Sequence, residues 1–297
     1  MLKTKKKLKY YQNTLPNSLI IGVQKSATTW LSKRLSQHPD IYIFPGEVHY
    51  FDNEKNFSKG PEWYSSIFRN SLDKVIRCEK SPDYFWTTCD DVPNEPKDKP
   101  LRIKQLIPEA KLILILRNPV TRAISGWNHN VRSGAILPSL DINKIFLPEY
   151  SDVVKRHGIL SRGLYFKQLS EFLNFFHREQ ILVLFFESDI IKTPELTLEK
   201  TVRFLGANND FKFKYVHDPE NKLASTKLGV WASYYSTGIL TKVVHKFDRN
   251  ILKDFPLPKW KPANPNRETL EKLKEYYNEE NIKLSKLIGS LPDDWNY

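Results

Sequence analysis

Four short apolar runs, continuous rather than alternating, constrain the fold of this chain more than any other feature. They lie at residues 19–23, 75–78, 111–116 and 181–186. A strand that alternates apolar and polar residues keeps one face in water, whereas a continuous apolar run is typical of a strand buried on both faces. Because parallel sheets are covered on both faces, the runs predict a parallel β-sheet inside the molecule.

Helical patterns lie between and after these runs, as apolar residues spaced to share one face of a helix. Three sets occur: Val120, Ile124, Trp127 and Val131; Tyr165, Leu169, Phe172 and Phe176; and Leu270, Leu273, Tyr277, Leu284 and Leu287. Buried strands that alternate with amphipathic helices predict an α/β fold, P-loop-like, with a central parallel sheet flanked by helices in three layers. Ligands of such folds bind beyond the carboxyl ends of the strands.

Length and charge bear on the domain organisation and the partner. With 297 residues and 40% hydrophobic content, the chain can bury the core of one large domain. We expect that domain at residues 18–297, after a basic flexible tail at 1–17 that has five lysines within its first nine residues. The net charge of +12 indicates an anionic partner, such as nucleic acid, a membrane surface or a phosphorylated or sulfated small molecule.

Two absences in the sequence predict the compartment. No stretch approaches the ~18 consecutive apolar residues of a membrane span, and no apolar segment of signal-peptide type follows the basic N-terminus. The cysteines are Cys78 and Cys89, too few for a disulfide framework or a zinc site. We therefore expect a cytoplasmic protein with no membrane span and two reduced thiols.

The stretch GVQKSATTWL, which begins at Gly22, has the outline of a phosphate-binding loop with its lysine displaced. A P-loop ends in Gly-Lys-Ser/Thr, whereas this chain has Ala27, Thr28 and Thr29 at those positions and Lys25 inside the loop. The N–H groups at the start of the following helix, and its dipole, would attract an anion. An ordinary strand-turn-helix connection has no use for a lysine and two threonines together, so we favour an anion site.

A second charged position follows the predicted strand at 111–116. A nucleoside triphosphatase needs an acid there to hold Mg²⁺, and this chain has Arg117. Arginine can clamp a phosphate bidentately, and Ser125 can donate to the same group from a helix that is predicted to start at Pro119 after Asn118. We therefore expect a second anion, bound without a metal, although a surface ion pair also explains Arg117 taken alone.

Polar residues embedded in an apolar surround occur in FPGEVHYFDNE, at residues 44–54. Apolar surroundings raise the pKa of a carboxyl group and make it a better base, which favours Glu47 as a general base. A metal site formed by Glu47, His49 and Asp52 fits no standard set of ligands. A buried turn with a satisfied acid is the remaining alternative.

Charged residues also close the second predicted strand, in the stretch CEKSPDYFW. Lys80 is a candidate cation for the substrate or for the transition state, because an ammonium group beside a reacting oxygen stabilises negative charge there. The alternative is that Lys80 is only the ion-pair partner of Glu79 or Asp83.

Taken in order, GVQKSATTWL, GEVHYFD, EKSPDYF and LRNPVTRAISGW resemble motifs of the sulfotransferase superfamily. The similarity is greatest to the Golgi heparan sulfate 3-O-sulfotransferases, to the sulfotransferase domain of the N-deacetylase/N-sulfotransferases, and to their bacterial relatives. It runs from about residue 19 to NIKLSKLIGSLPDDW near the C-terminus. The resemblance implies a sulfotransferase domain at 18–297 that uses 3′-phosphoadenosine 5′-phosphosulfate as co-substrate and requires no metal.

The resemblance assigns several residues to the nucleotide. Its 5′-phosphosulfate loop is matched by Lys25, Ser26, Ala27, Thr28 and Thr29, and its 3′-phosphate site is matched by Arg117 and Ser125. The heparan enzymes cover the nucleotide with a cysteine-closed hairpin and a Ser-Lys-Gly-Arg loop, which this sequence lacks. We expect NKLASTKLG, at residues 221–229, to take that place, with Lys227 facing the nucleotide.

The resemblance also implies the catalytic and acceptor groups. Glu47 corresponds to the catalytic base, Lys25 to the lysine that steadies the bridging oxygen as sulfate leaves, and Lys80 to the lysine near the acceptor oxygen. The residues expected on the acceptor side are His49, Asp52 and Asp83.

The predicted function is in-line, metal-free transfer of a sulfuryl group to a hydroxyl, with an amine as second choice, of a carbohydrate-type acceptor. The expected partners are the nucleotide donor and a glycan or other hydroxylated acceptor. A small alcohol, phenol, lipid or peptide tyrosine stays open as the acceptor. A P-loop kinase-like phosphotransferase is a more distant alternative, because it needs a lysine at position 28 and an acid in place of Arg117. A nucleic-acid partner rests on charge alone and is not expected.

Overall fold

The computed structural model describes residues 14–89, 92, 95–218, 226–236 and 258–295. These residues form two compact units. The first consists of the described parts of 14–118, 164–218 and 280–295, and the second of those of 119–163, 226–236 and 258–279. The expected single domain at 18–297 stays a prediction, and residues 1–13 of the expected tail lie outside the described part of the chain.

The first unit contains a sheet of five parallel strands in the order β2-β3-β1-β4-β5. The strands are β1 Ser18–Gly22, β2 Ile41–Ile43, β3 Ile76–Lys80, β4 Lys111–Leu116 and β5 Ile181–Phe185. The predicted α/β class with a parallel sheet is therefore confirmed. The three residues of β2 were not predicted as a strand, because so short a run carries no periodicity of its own.

The helices, in chain order, are α1 Thr28–Leu35, α2 Glu54–Phe57, α3 Gly60–Ser66, α4 Lys99–Leu106, α5 Pro119–Arg132, α6 Ser151–Arg156, α7 Tyr165–Leu173, α8 Pro194–Leu205, α9 Lys227–Tyr235 and α10 Arg267–Ile288. A π-helical stretch, Phe186–Lys192, follows β5. None of the described helices is both long and apolar enough to cross a membrane.

Both faces of the sheet are covered by apolar clusters. One cluster takes Leu19 and Ile21 of β1 together with Leu112, Leu114 and Leu116 of β4. The other takes Ile20 of β1 with Ile113 and Ile115 of β4, against side chains of α1 and α8. Because successive side chains of a strand point to opposite faces, the continuous apolar runs supply both layers, as the sequence predicts.

The second unit packs around α5, which begins at Pro119 as predicted. Trp127 is fully buried and stacks on Tyr150 with ring centroids 6.3 Å apart. The side chain of Asn128 donates to the carbonyl of Ala263 (3.0 Å) and accepts from its N–H (2.7 Å). Gly134, at φ +80°, lets the end of α5 approach α9, because a Cβ there would lie 2.2 Å from the carbonyl oxygen of Ser233.

The proline-rich segment before β4 differs from its expected character. The stretch DDVPNEPKDKP, at residues 90–100, is proline-rich and charged, which predicts a surface excursion before the helix that precedes β4. Residues 90, 91, 93 and 94 lie outside the described part of the chain. The end of the segment is buried: Lys99 has no exposed surface, and its ammonium group donates to the Trp86 carbonyl and to Glu95, each at 2.5 Å. That part of the prediction is wrong, because a paired lysine can be buried where composition alone indicates a loop.

Candidate active site

The connection between β1 and α1 has a backbone geometry that suits an anion. The N–H of Val23 donates to the Ile115 carbonyl (3.0 Å) and the N–H of Ser26 to the Val23 carbonyl (3.2 Å), so the loop curls at the strand end. Lys25 (φ 75°) and Ala27 (φ 62°) both adopt the left-handed conformation. Left-handed residues interleaved with other backbone conformations turn neighbouring N–H groups inward, a geometry that binds anions.

The start of α1 is left without a side-chain cap. Ala27 is its N-cap residue, and the first turn contains no acidic residue. The N–H groups of such a turn need acceptors, and the helix dipole adds partial positive charge at the same point. The loop and the helix start therefore present a positive, donor-rich concavity.

A buried hydroxyl in this loop has room for a ligand partner. Ser26 has no exposed surface, and its Oγ makes no hydrogen bond to any residue that the structure describes. Buried hydroxyls are nearly always hydrogen-bonded, so an unsatisfied one beside a ring of N–H groups fits an oxygen of a bound phosphate or phosphosulfate. The residues present thus suit the predicted 5′-phosphosulfate group.

Gly22 allows the turn after β3 to lie against the loop between β1 and α1 (residues 23–27). A Cβ at Gly22 would come within 2.8 Å of the Phe85 Cβ and 3.2 Å of the Pro82 carbonyl oxygen. The N–H of Phe85 also donates to the Ile21 carbonyl at 2.9 Å. The glycine is therefore required by close packing, and the packing brings EKSPDYF beside GVQKSATT.

Lys80 contacts both the start of α1 and the predicted base, Glu47. It ends β3, in register with Ile20 of β1, and is 8% exposed. Its ammonium group donates to the carboxylate of Glu47 and, at 3.3 Å, to the hydroxyl of Thr29. Three residues predicted from three separate motifs are thus brought into one contact chain.

Glu47, His49 and Asp52 form a second chain of contacts. His49 Nε2 lies 3.3 Å from Glu47 Oε2, and His49 Nδ1 lies 2.8 Å from Asp52 Oδ2. The Asp52 side chain is buried, whereas those of Glu47 and His49 are 37% and 34% exposed. The carboxylate of Glu47 is therefore held from both sides and still open to an incoming acceptor.

The titration of these groups differs from expectation at Glu47. Burial raises the pKa of Glu47, but the hydrogen bonds from His49 and Lys80 outweigh burial and leave that pKa below its usual value. The prediction that apolar surroundings would raise it is wrong, because two cations contact the carboxylate. The hydrogen bond to Asp52, followed by that to Glu47, raises the pKa of His49 to about 10.

Ligand atoms of His49, Asp52 and Asp83 lie within 4.8 Å of one another, a spacing that a metal ion could also use. With the pKa of His49 at about 10, both ring nitrogens carry protons at neutral pH. Asp83, predicted on the acceptor side, lies close enough to contribute to that raised pKa.

Arg117 contacts the loop between β1 and α1. Its Nη1 donates to the Lys25 carbonyl at 2.9 Å, and its guanidinium lies over the Phe186 ring, 4.6 Å from the centroid. The Tyr165 hydroxyl donates to the Arg117 carbonyl at 2.8 Å. The arginine is therefore placed at the carboxyl end of β4, beside Lys25, and its predicted role at a 3′-phosphate stays a prediction.

The other two residues predicted for the nucleotide belong to the second unit. Ser125 is half-buried on α5. Lys227 is the exposed first residue of α9, where the Thr226 hydroxyl caps the helix by accepting from the N–H of Gly229 (2.9 Å). Residues 221–225 of the expected covering segment lie outside the described residues, and both roles stay predictions.

Glu79 is a buried acid beside the candidate site whose contacts the sequence interpretation missed. It was considered only as an ion-pair partner of Lys80, and that alternative is wrong. Adjacent residues of a strand point to opposite faces, so Lys80 reaches Glu47 while Glu79 is fully buried against Tyr64 and Tyr84. An acid inside a continuous apolar strand is the signal that could have identified it.

Comparison with known proteins gives a consistent family. The mouse heparan sulfate glucosamine 3-O-sulfotransferase 3A1 is 30% identical over 208 residues, 70% of this chain and 50% of the mouse protein. The human heparan sulfate glucosamine 3-O-sulfotransferase 6 is 32% identical over 200 residues, 64% of this chain and 52% of the human protein. This chain therefore spans about half the length of these relatives.

A solved sulfotransferase from Alicyclobacillus acidocaldarius has the same fold, with a TM-score of 0.66 at 22% identity over 94% of this chain and 98% of that one. The family model described as "Sulfotransferase domain" matches residues 15–283. The resemblance seen in the four motifs is thus confirmed, and the chain belongs to the sulfotransferase domain family.

Proposed function

We propose that this protein transfers a sulfuryl group from 3′-phosphoadenosine 5′-phosphosulfate to a hydroxyl, with an amine as second choice, of a carbohydrate-type acceptor, without a metal. The observation that carries the proposal is the position of Lys80. Its ammonium group contacts both Thr29 of the anion-binding loop and the Glu47 carboxylate. A group transferred from the loop to an acceptor at Glu47 would pass beside this one cation.

The donor side would be held by the loop and its neighbours. The N–H groups at the start of α1, with the hydroxyls of Ser26, Thr28 and Thr29, suit the 5′-phosphosulfate. Residues proposed to complete donor binding are Lys25, Ala27, Arg117, Ser125 and Lys227. When bound, the donor supplies the sulfuryl group on a phosphate leaving group.

The acceptor proton would go to Glu47. The lowered pKa of Glu47 keeps its carboxylate ionised at neutral pH, so it is ready to accept a proton. As the sulfur bonds to the acceptor oxygen and the bond to the phosphate oxygen breaks, Glu47 would remove the hydroxyl proton, which is worth about 10²–10⁴-fold in rate.

Lys25 and Lys80 would stabilise the negative charge that develops on the phosphate and on the transferring oxygens. Loss of one such preorganised donor costs on the order of 10²–10³-fold. His49 and Asp52 would orient the Glu47 carboxylate, and Asp83 would contact the acceptor from the same side. These roles are proposed from the positions and charges of the residues, and each can be tested by substituting the residue.

The carbohydrate acceptor is supported by the relatives. The mouse and human proteins are named for heparan sulfate glucosamine, at 30% and 32% identity. The half-exposed Glu47 and His49 side chains leave the acceptor side accessible to a bulky molecule. A small alcohol, a phenol, a lipid and a peptide tyrosine are the alternatives that the acceptor experiment must include.

The test is a transfer screen with ³⁵S-labelled donor against oligosaccharides, lipids, small alcohols and a tyrosine peptide, with products identified by mass. We expect label on an oligosaccharide, equally with and without EDTA. Label only on another class would overturn the carbohydrate assignment, and loss of transfer in EDTA would overturn the metal-free one. Phosphate transfer from γ-labelled ATP, with no sulfate transfer, would replace the proposal by a phosphotransferase.

A further inference from the structure

The segment that carries Glu47 and His49 has no regular structure, so its backbone groups need partners elsewhere. Residues 48–50 contribute three consecutive N–H groups. The first donates to Glu79 Oε2 at 3.3 Å, the second to Ser81 Oγ at 3.1 Å and the third to the Tyr84 hydroxyl at 2.8 Å. All three therefore end on one cluster of polar side chains.

Glu79 is the centre of that cluster. The hydroxyls of Tyr64 and Tyr84 each donate to its Oε1 at 2.6 Å, and the Ser81 hydroxyl donates to its Oε2 at 3.0 Å. Its side chain has no exposed surface, and no ion pair to it is found in the described part of the chain. Neutral donors alone thus satisfy a buried carboxylate.

The direction of these hydrogen bonds is set by the carboxylate. A hydroxyl has one proton and two lone pairs, so Ser81 and Tyr84 can each donate to Glu79 and accept from an N–H of the segment at the same time. Glu79 accepts both protons and turns both hydroxyl lone pairs toward the backbone of residues 49 and 50. The acid therefore acts on those two amides through the hydroxyls and on that of Val48 directly.

His49 shows why this support matters. Its backbone lies in the left-handed region, at φ 50°, which few residues other than glycine adopt. In that conformation its side chain lies 3.3 Å from Glu47 and 2.8 Å from Asp52. Asn56 secures the carbonyl groups of the same residues, at 3.0 Å from Val48 and 3.3 Å from His49, but it does not reach their N–H groups.

We propose that Glu79 is a positioning residue for the reaction, a buried carboxylate that fixes Glu47 and His49 by holding the three backbone N–H groups of residues 48–50. The assignment rests on the proposed sulfuryl transfer, because Glu47 and His49 are its base and its orienting group. Glu79 itself does not touch the donor or the acceptor. Although burial raises its pKa to about 6, the group is ionised at neutral pH, as the hydrogen bonds require.

Glu79→Gln tests the proposal with little change of volume. A glutamine replaces one acceptor oxygen by an NH₂ group, which cannot accept the two hydrogen bonds made there: those from Tyr64 and Tyr84 at Oε1, or those from Ser81 and Val48 at Oε2. We expect exchange of the amides at 48–50, followed by NMR in the full chain, to accelerate at least about tenfold, while amides of β1 and β4 keep their protection. We expect kcat to fall about 10–100-fold with the donor KM nearly unchanged, as for a misplaced reacting group.

The two tyrosines give a matched pair. Tyr64 and Tyr84 make the same 2.6 Å hydrogen bond to Glu79, but only Tyr84 accepts from the segment. Tyr84→Phe should accelerate exchange at Tyr50, and Tyr64→Phe should leave that amide protected. If Glu79→Gln does not fold, this pair still tests whether the hydroxyl that links Glu79 to the segment holds the Tyr50 amide.

Unchanged exchange at 48–50 in Glu79→Gln, or equal acceleration in β4, would overturn the positioning role. Equal effects of the two tyrosine substitutions at Tyr50 would also overturn it. Amide exchange can be measured without turnover, so it tests the positioning role of Glu79 even if the transfer screen finds no sulfated product. That outcome of the screen would count against the proposed function alone.

Discussion

The ammonium group of Lys80 donates to the carboxylate of Glu47, and this ion pair joins the end of β3 to the segment after β2. The pair is one reason why the pKa of Glu47 is lowered despite burial. The same ammonium group contacts the hydroxyl of Thr29 at the start of α1, so it brings the proposed base close to the proposed anion site. Lys80 thus places one positive charge between the proposed donor site at Thr29 and the proposed base Glu47.

Lys80→Gln should change both the rate and its pH dependence. Removal of the cation takes away one cause of the lowered Glu47 pKa, so that pKa rises and the acid limb of the kcat profile moves to higher pH. Turnover at the optimum should fall on the order of 10²–10³-fold. The measurement is a pH–rate profile for both proteins, and an acid limb that stays in place would contradict the pairing.

His49→Gln should reveal a pH-dependent contribution to stability. The folded-state pKa of His49 is raised from 6.5 to about 10, so its contribution is fully present below pH 6.5 and is lost as the pH rises toward 10. The difference in urea midpoint between the wild type and His49→Gln should therefore be largest at the lower pH and shrink as the pH rises. A difference that stays constant across this range would show that the imidazolium pairs contribute nothing.

Ser26→Ala should weaken nucleotide binding without weakening the fold. The Ser26 Oγ has no partner among the described residues, so its removal costs the free protein no hydrogen bond there. A hydrogen bond to a charged group is worth about 1.5–3 kcal/mol, so affinity for 3′-phosphoadenosine 5′-phosphate should fall roughly 10–100-fold. Calorimetric titration and the thermal midpoint measure the two effects.

Ser18→Ala is the control for that variant. Ser18 is equally buried, lies at the other end of β1 and donates to the Arg77 carbonyl at 3.3 Å. Its loss should lower the thermal midpoint and leave nucleotide affinity unchanged. If Ser26→Ala behaved like this control, the hydroxyl would have no part in the anion site.

Arg117→Ala should separate the two phosphate groups of the nucleotide. We expect affinity for 3′-phosphoadenosine 5′-phosphate to fall at least about tenfold more than affinity for adenosine 5′-phosphate, since only the first ligand has the proposed partner of the guanidinium. Equal losses would mean that Arg117 acts only through its hydrogen bond to the Lys25 carbonyl, by shaping the loop.

The sequence predicts the fold better than it predicts the balance of charge within the candidate site. Continuous apolar runs identify four of the five strands, and Lys25 together with Thr28 and Thr29 after β1 predicts an anion site there. The lowered pKa of Glu47 was not predictable, because it depends on Lys80, a residue 33 positions away that the parallel pairing of β2 with β3 brings close.

Glu79 illustrates the same limit. From the sequence, its neighbour Lys80 is the obvious partner, since nothing local excludes that pair. Because adjacent residues of a strand point to opposite faces, Lys80 faces Glu47, and Glu79 faces Tyr64 and Tyr84. The residues of a site can thus be named from motifs, while their pairing depends on the faces of the strands that carry them.

The most direct test of the central claim compares binding and turnover in Glu47→Gln. Glutamine keeps the shape of the side chain but cannot take the acceptor proton. We predict nearly unchanged affinity for 3′-phosphoadenosine 5′-phosphate by calorimetry, and at least about 10²-fold slower ³⁵S transfer in a single-turnover assay with EDTA present. Transfer at the wild-type rate, or an equal loss of nucleotide binding, would contradict Glu47 as the base.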